Sequence, residues 1–572
     1  MAGNRAAFFV ATNATIFAEK SPFTNISLAD CTGVLDGTRV KLNIPREKER
    51  ESYKGFVVSV PNVHHSKSPK SQCGFRSARG TIYMIFSLRP IQEKAMEQNQ
   101  ELYMVFVDLT KAFDTVSRDA LWKVLAKLGV PEKMLNVIVS FHEGMCVSVH
   151  SNGQQSDCFS VTNGTKQGCV LAPVLFALFF SVMLEHAFRD ITEGIDIEFR
   201  MSGNVFNQQR LKAKTLIVRQ LIRDLLFADD CALVAHTLGD MQHIIDSFSN
   251  AAKAFGLTIS IKKTELLYQS SPNNPDIINP IATVDGTALK TVEQFTYLGS
   301  TVTSDAKMDK EIVTRIGKAS SAFGGLHSRL WKEHDVSRRT KIDVYKAVVI
   351  TTLLYSAESW TPYRKHIAQL DAFHMRCLRQ ICQISWDDKI KNSTILSQCN
   401  ISGIEAFLIK AQLRWSGHLI RMNDNRIPKQ LFYGQIIDAP RNRGRPLLRY
   451  KDKLKDNLKR LNIDPNNWEL LAADRNAWRS TCFHELSAFE KHRTDHHDQL
   501  RQNTKHRHQL LPPGNNHMCT ICGFAARSKA GLAVHSRVHV APAPVNLTCN
   551  ICNKVCKSVG GLKVHARTHI TK

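Results

Sequence analysis

Two adjacent carboxylates, Asp229 and Asp230, lie between the apolar segments 225–228 and 231–235. An apolar, acidic, apolar order of this kind predicts a hairpin that carries its charges at the turn. The flanking segments can be buried, but neighbouring carboxylates repel each other and must stay solvated, be neutralised or bind a cation. A solvated turn is the simpler interpretation of an isolated pair, and a metal site is the functional one.

A third carboxylate, Asp108, directly follows the apolar run 102–107, which predicts a buried strand. An isolated aspartate in this position usually caps the strand or faces solvent. Carboxylates at the ends of two adjacent strands can instead converge on two divalent ions about 3.5 to 4 Å apart, the arrangement used for displacement at phosphorus. Oxygen ligands of this kind favour Mg²⁺ or Mn²⁺.

The C-terminal segment contains the pattern Cys-x₂-Cys-x₁₂-His-x₃-His twice. Thiolates and imidazoles at this spacing fit tetrahedral Zn²⁺, so we predict two ββα zinc fingers at 516–541 and 546–572. The ligands are Cys519, Cys522, His535 and His539 in the first finger, and Cys549, Cys552, His565 and His569 in the second.

The positions that normally contact bases in such fingers carry small or apolar side chains: Ser528, Gly531 and Val534, then Ser558, Gly561 and Val564. None of these residues suits bidentate recognition of a base. Nearby lysines and arginines can contact phosphate, so we expect sequence-tolerant binding of DNA or RNA, with protein binding as the alternative.

Hydrophobic periodicity indicates the elements that must position these groups. We predict strands at 102–107 and 257–261, and helices at 119–128, 170–188 and 239–255. Downstream the pattern becomes mainly helical, with predicted helices at 311–331, 338–355, 367–381 and 403–422. The polar, His-rich segment 490–509 is predicted to be a linker, and residues 1–69 show no chemistry.

The composition favours a polyanionic partner. The chain has 572 residues, a formal net charge of +25 and 15 cysteines, and such a basic balance points to nucleic acid. The cysteines outside the Cys/His pattern show no disulfide-like spacing, which indicates a reducing compartment, nuclear or cytosolic. No apolar run is long enough to cross a bilayer, so no membrane partner is expected.

Asp108 and the two carboxylate neighbours belong to a series of ordered motifs. These are AFD at 112–114, KQGCVLAP at 166–173, FADD at 227–230 and GLTISIKKT at 256–264, with QCGFR at 72–76 and YLG at 297–299. The series resembles reverse transcriptases, most of all the polymerases of non-LTR, LINE-type retrotransposons. The resemblance implies an α+β fold with a right-hand polymerase palm, an antiparallel sheet plus helices with partial fingers, at 70–300. It further implies a helical thumb and extension at 301–430, and a basic region with the His-rich linker at 431–515.

The same resemblance gives the motif residues roles in RNA-directed DNA polymerisation. Asp108 and Asp229 would hold Mg²⁺ or Mn²⁺, with Asp230 assisting. Phe113 would be the steric gate against a ribose 2′-hydroxyl; the alternative is a core aromatic. Lys263 would lie near the β- and γ-phosphates as a general acid, or else be an exposed lysine at a strand end. The other substrate-binding candidates are Gln167 and Gly168 near the incoming nucleotide and template, and Arg76 near the triphosphate or template.

Residues 1–69 match neither the endonuclease nor the fingers motifs that precede QCGFR in complete elements of this type. We therefore expect a truncated or fused polymerase of impaired activity, in which residues 1–69 are disordered or foreign. The implied partners are an RNA template, a DNA primer or target and dNTPs, in the nucleus and cytoplasm. The alternative is a non-enzymatic, retroelement-derived protein that binds nucleic acid through zinc.

Overall fold

The computed structural model describes residues 69–510 apart from 149, 152–153, 166–170, 213–214, 274–278, 386 and 438–447. It also describes residues 33–35, 38–40, 517–526, 529–536, 539 and 552. The chain divides into two compact units, Met1–Lys491 and His492–Lys572. Each unit is described by itself.

The strands are numbered in chain order. They are β1 Gly33–Leu35, β2 Thr38–Val40, β3 Leu102–Val107, β4 Cys146–Val147, β5 His150–Ser151, β6 Gln154–Gln155, β7 Phe159–Ser160, β8 Ile195–Phe199, β9 Val218–Ile222, β10 Asp224–Phe227, β11 Asp230–Ala235, β12 Glu265–Gln269, β13 Thr283–Val284, β14 Thr287–Ala288, β15 Lys290–Val292, β16 Gln294–Tyr297, β17 Ser300–Thr303, β18 Gln435–Ile436, β19 His517–Met518 and β20 Ala525–Ala526.

The helices are numbered in the same way. They are α1 Thr81–Glu97, α2 Arg118–Lys127, α3 Glu132–Ser140, α4 Ala172–Ala187, α5 Leu238–Ala254, α6 Asp309–Gly325, α7 Arg338–Val344, α8 Thr351–Leu353, α9 Arg364–Ile381, α10 Asn392–Cys399, α11 Ile404–Arg421, α12 Ile427–Tyr433, α13 Tyr450–Arg460, α14 Trp468–Ala473, α15 Arg475–Leu510 and α16 Lys529–Ser536. A π-helical segment, Tyr345–Ile350, joins α7 to α8 without a break, and another follows α6 at His327–Trp331.

The largest sheet of the first unit has the strand order β10-β11-β3-β12-β15, antiparallel except for the β12–β15 pair. All six residues of its central strand β3 are buried. Met104 and Phe106 point into a core that includes α1, α11 and α13, whereas Val105 and Val107 point into a core that includes α2, α4 and α5. Because side chains alternate along a strand, a sheet covered on both faces needs a continuous apolar run. This explains why the segment 102–107 lacks polar alternation.

The helical region predicted downstream is confirmed, and it has its own core. Helices α6 to α10 bury a set of aromatic and aliphatic side chains that includes Phe323, Tyr345, Trp360 and Leu378. Helix α11 joins both cores, since Ile404 and Leu408 belong to this one while its later turns pack under the sheet. The first unit therefore combines a mixed α+β sheet layer with a helical layer.

Three expectations need correction. The strand predicted at 257–261 is reduced to a single bridge between Ile259 and Leu109, and the strand proper is β12. The segment 490–509 is helical and belongs to α15, because its polar composition contains no glycine or proline to stop the helix. A disulfide joins Cys146 to Cys158, although the sequence suggested no paired cysteines. Among the helices that the structure describes, none is long and apolar enough to span a membrane.

Candidate active site and Cys/His cluster

The predicted acidic hairpin is present as β10 and β11. Phe227 pairs with Asp230, so the turn consists of only Ala228 and Asp229. Ala228 has a φ of 58°, in the left-handed region that non-glycine residues seldom occupy. The strands on both sides of the turn are buried, and their packing therefore fixes the place of the acidic pair.

The neighbouring strand brings Asp108 to the same edge of the sheet. β3 runs antiparallel to β11 with Val107 opposite Cys231, so the end of β3 lies beside the start of β11. The negative charge of Asp108 contributes to raising the pKa values of both Asp229 and Asp230. The structure thus brings together three carboxylates whose convergence the spacing along the chain could not establish.

The electrostatics of this group fit a divalent cation. Burial, followed by the charges of Asp229 and Asp108, raises the pKa of Asp230 to about 7, although this residue still reaches solvent. The Oδ1 atom of Asp108 is shielded from solvent, and the ammonium group of Lys263 lies 3.3 Å from it. Carboxylates that repel one another at a partly buried edge are stabilised by a bound cation.

The three aspartates do not yet form a closed ligand set. Among the described residues, only the Cys/His group of the second unit has three or more potential ligand atoms all within 4.8 Å of one another. Asp230, the first residue of β11, is exposed. Asp108 and Asp229 are half-buried, so Asp230 is the most solvent-accessible of the three.

Lys263 lies beside this pair. Its Nζ atom is 3.3 Å from Oδ1 of Asp108. Burial raises the pKa of Asp229, and the positive charge of Lys263 offsets part of that rise. The loop that carries it is fixed to the end of β3, because Ser260 N donates to the Asp108 carbonyl at 2.8 Å and Asp108 N donates to Thr264 Oγ1 at 3.2 Å. The lysine is thus held at the acidic edge, where it can contact an anionic substrate.

The other predicted substrate residues have different surroundings. The ring of Phe113 is half-buried and packs against Phe176, with centroids 4.5 Å apart. Arg76 is buried, its Nη1 donates to the carbonyl of Pro69 at 2.9 Å, and burial together with Arg79 lowers its pKa to about 10. Gln167 and Gly168 lie outside the described residues.

A residue that the sequence reasoning left without a role, Gln72, contacts the acidic turn directly. Its side chain is fully buried, and its amide exchanges two hydrogen bonds with the backbone of Ala228. The only signal in the sequence was its place at the start of the QCGFR motif, and nothing there indicated a partner 156 positions away.

In the second unit, the strands β19 and β20 pair and are followed by α16. One ligand atom from each of Cys519, Cys522, His535 and His539 lies within 4.8 Å of the others, so the group could hold a metal ion. The ring of Phe524 stacks on His535 with centroids 4.2 Å apart, an aromatic contact that the sequence reasoning missed. In the second Cys/His pattern, Cys552 is exposed, and Cys549, His565 and His569 lie outside the described residues.

Comparison with known proteins points to one family. Residues 37–302 match the family model described as reverse transcriptase (RNA-dependent DNA polymerase). The RNA-directed DNA polymerase from mobile element jockey of Drosophila funebris is 22% identical over 321 residues, covering 56% of this chain and 32% of that protein. The retrovirus-related Pol polyprotein from type-2 retrotransposable element R2DM of Drosophila melanogaster is 26% identical over 161 residues, 28% of this chain and 13% of that protein. Telomerase from Candida tropicalis in complex with the TWJ fragment of telomeric RNA matches at 14% identity and a TM-score of 0.34, covering 74% of this chain and 67% of that chain.

The chain spans about a third of the length of the jockey polymerase and less of the R2DM protein. The family match contains Asp108, Asp229 and Lys263, and it begins inside the segment 1–69 to which the motifs gave no assignment. Residues 37–302 thus match the reverse transcriptase family, and this part of the chain is similar to polymerases of non-LTR retrotransposons.

Proposed function

We propose that this chain is an RNA-directed DNA polymerase of the non-LTR retrotransposon type, which adds dNTPs to a primer 3′-hydroxyl along an RNA template. The observation that carries the proposal is the meeting of Asp108 and Asp229 at the ends of adjacent antiparallel strands, inside a reverse transcriptase domain. This arrangement supplies oxygen ligands from two separate strands, as in-line transfer of a nucleotidyl group requires.

The carboxylates of Asp108 and Asp229 would hold Mg²⁺, with Asp230 at the margin. When bound, the metal lowers the pKa of the primer hydroxyl and neutralises charge on the triphosphate. Lys263, beside Asp108 and 69% exposed, binds the outer phosphates and places a proton donor near the leaving pyrophosphate. Phe113 presents the open side of its ring to the sugar and restricts the space beside the 2′ position.

Primer extension on an RNA template with dNTPs and Mg²⁺ tests this function. We expect the wild type to extend, Asp229→Asn to reduce extension by about 10²- to 10³-fold, as the removal of one electrostatically stabilising group does, and the surface variant Asp190→Asn to match wild type. Asp190 is exposed and serves as the matched control. A folded wild type that binds the template but adds no nucleotide would refute the enzymatic proposal.

The steric role of Phe113 has a separate test. Phe113→Val shortens the side chain, so we expect ribonucleotides to be incorporated more readily relative to deoxyribonucleotides. The contact with Phe176 supports the structural alternative, a core aromatic. Unchanged discrimination together with lower stability would favour that alternative.

The Cys/His group of the second unit favours an additional role in nucleic-acid binding. We propose that Cys519, Cys522, His535 and His539 bind Zn²⁺, since two thiolates and two imidazoles are a typical tetrahedral set, and that the second pattern forms a similar finger. Binding of RNA and DNA oligonucleotides by the His492–Lys572 unit within the full chain, compared with His535→Ala, tests this role. Protein-only binding would support the alternative stated from the sequence.

A further inference from the structure

Gln72 is fixed against the acidic turn through both polar groups of its side chain. Nε2 donates to the carbonyl of Ala228 at 3.1 Å, and Oε1 accepts from Ala228 N at 2.9 Å and from Gly74 N at 2.7 Å. The exposed fraction of Gln72 is 0%. The buried amide of Gln72 thus makes three hydrogen bonds to backbone groups, two of them to Ala228.

The turn needs such a partner. Ala228 has its φ at 58° and only 5% of its surface exposed. For a residue with a Cβ the left-handed conformation is disfavoured, and a buried peptide group without a hydrogen-bond partner adds a further cost. The amide of Gln72 satisfies both the N–H and the carbonyl of this residue, and therefore favours the conformation that precedes Asp229.

The segment 71–74 braces the turn along the outer edge of the sheet. β10 is the edge strand, and Cys73 N donates to the carbonyl of Leu226 at 2.9 Å. A Cβ added at Gly74 would lie 2.1 Å from Ala228 N, so the backbones approach more closely than a side chain would permit. The segment 71–74 therefore packs closely against the turn and covers the edge strand β10, which would otherwise be open on that side.

We propose that Gln72 is a positioning residue of the active site: by holding Ala228 in the left-handed conformation it sets the direction of the Asp229 carboxylate. This inference rests on the proposed polymerase function and specifies how the metal-binding carboxylate is oriented. Misplacement of a reacting group by about 1 Å can lower a rate about 10²-fold. Loss of Gln72 should therefore lower kcat much more than it changes KM for dNTP, and should weaken binding of the divalent cation.

The test uses Gln72→Met, which keeps the length of the side chain and removes both polar atoms. Gln92 provides the matched control, because it is also buried and its Nε2 donates to Gln269 Oε1 at 3.1 Å and to the Thr303 carbonyl at 2.9 Å, with no contact to the turn. Mn²⁺ affinity is measured by electron paramagnetic resonance on the full chain without nucleic acid, beside primer extension and thermal denaturation. We expect both variants to lose stability, but only Gln72→Met to lower Mn²⁺ affinity and kcat, by about 10- to 100-fold in kcat.

A second variant separates positioning from general damage. Glycine adopts the left-handed conformation without steric cost, so Ala228→Gly in the Gln72→Met background should recover part of the Mn²⁺ affinity. If Gln72→Met does not fold, Gln72→Glu keeps the acceptor oxygen and the side-chain length, and we expect the same separation from Gln92→Met at smaller amplitude.

The metal measurement keeps this inference separate from the proposed function. Asp229→Asn should lower Mn²⁺ affinity whether or not the wild type extends a primer. If Asp229→Asn lowers it and Gln72→Met leaves it at the level of Gln92→Met, the positioning role is refuted. If the wild type binds Mn²⁺ in this way but does not extend, the polymerase function fails and the role of Gln72 at the turn stands.

Discussion

Glu311 is a fully buried carboxylate placed among two arginines in the first unit. Its Oε1 accepts from Arg315 Nε at 2.9 Å, and its Oε2 accepts from Thr301 N at 2.6 Å. Arg89, whose Nη2 donates to the Thr301 carbonyl at 3.2 Å, lies in the field of the same carboxylate. One negative charge therefore compensates two positive charges where helix α6 meets the β16–β17 hairpin.

This arrangement predicts an order of stabilities. Glu311→Gln preserves the shape but leaves two guanidinium groups uncompensated, and breaking a buried pair in this way costs about 3–5 kcal/mol. Arg315→Met leaves Arg89 and Glu311 to compensate each other. We therefore expect a smaller cost, mainly about 1.5–3 kcal/mol for the charged hydrogen bond to Glu311, with a lesser part from the lost contacts to the Gly299 carbonyl and the Tyr355 ring. In the exposed pair of Lys290 with Glu265, Lys290→Met should cost about 0–1 kcal/mol.

Hydrogen exchange followed by mass spectrometry measures this order locally. Peptides that cover β16, β17 and α6 report the free energy of opening of this region. A single unfolding free energy is less suitable, because a chain of two units is not expected to unfold in one step. A loss for Arg315→Met that equals or exceeds the loss for Glu311→Gln would refute the charge balance inferred for the triad.

Three further predictions concern packing, protonation and metal. Gly417→Ala should destabilise the first unit by about 1–3 kcal/mol in thermal denaturation. Alanine is the better helix former, but a Cβ at position 417 would lie 2.3 Å from Trp478 Nε1. A gain in stability would contradict this. Burial raises the pKa of Glu93 to about 6 from 4.5, so the folded state holds the proton more tightly and stability is lost as pH rises from 4.5 through 6. Glu93→Gln, which can still accept from Tyr450 N, should therefore add at most about 2 kcal/mol at pH 7 and nothing near pH 4, and a pH-independent difference would be inconsistent. A zinc chelator should raise amide exchange across 517–536 as His535→Ala does, whereas unchanged exchange would show that metal does not support this fold.

Local sequence patterns predicted the central strand, the acidic hairpin and several long helices of the first unit, because each pattern reflects burial of a nearby face. The apolar run at Leu102–Val107 predicted β3. The helical periodicity of apolar residues predicted a helix at 239–255, which is within one residue of α5 at each end. These features depend on chemistry within a few residues of the chain. The expectation that Asp108 and Asp229 would converge had a different source, the resemblance of the ordered motifs to a known family.

Contacts between distant segments were beyond that reasoning. The bonds from Gln72 to Ala228 join positions 156 apart, and no local period reports them. Where a strand was predicted at 257–261, the structure has only the bridge from Ile259 to Leu109. The backbone there bonds to the end of β3 instead of continuing as a strand, since Ser260 N donates to the Asp108 carbonyl. Tertiary contacts overrode local propensity where the chain turns around the carboxylates.

The position of the acidic hairpin at the sheet edge explains why its support must come from outside the sheet. Strand β11 is flanked on both sides, by β10 and β3, whereas β10 has a sheet partner on one side only. The turn between them holds a left-handed Ala228 and repelling carboxylates, so the strands alone would favour relaxation of the turn. The segment 71–74 supplies the missing neighbour, and Tyr297 adds a hydrogen bond from its hydroxyl to the Leu225 carbonyl at 2.9 Å. An edge strand held from two further segments can keep a strained, charged turn in place, and the geometry of the carboxylates consequently depends on residues that need never touch a nucleotide.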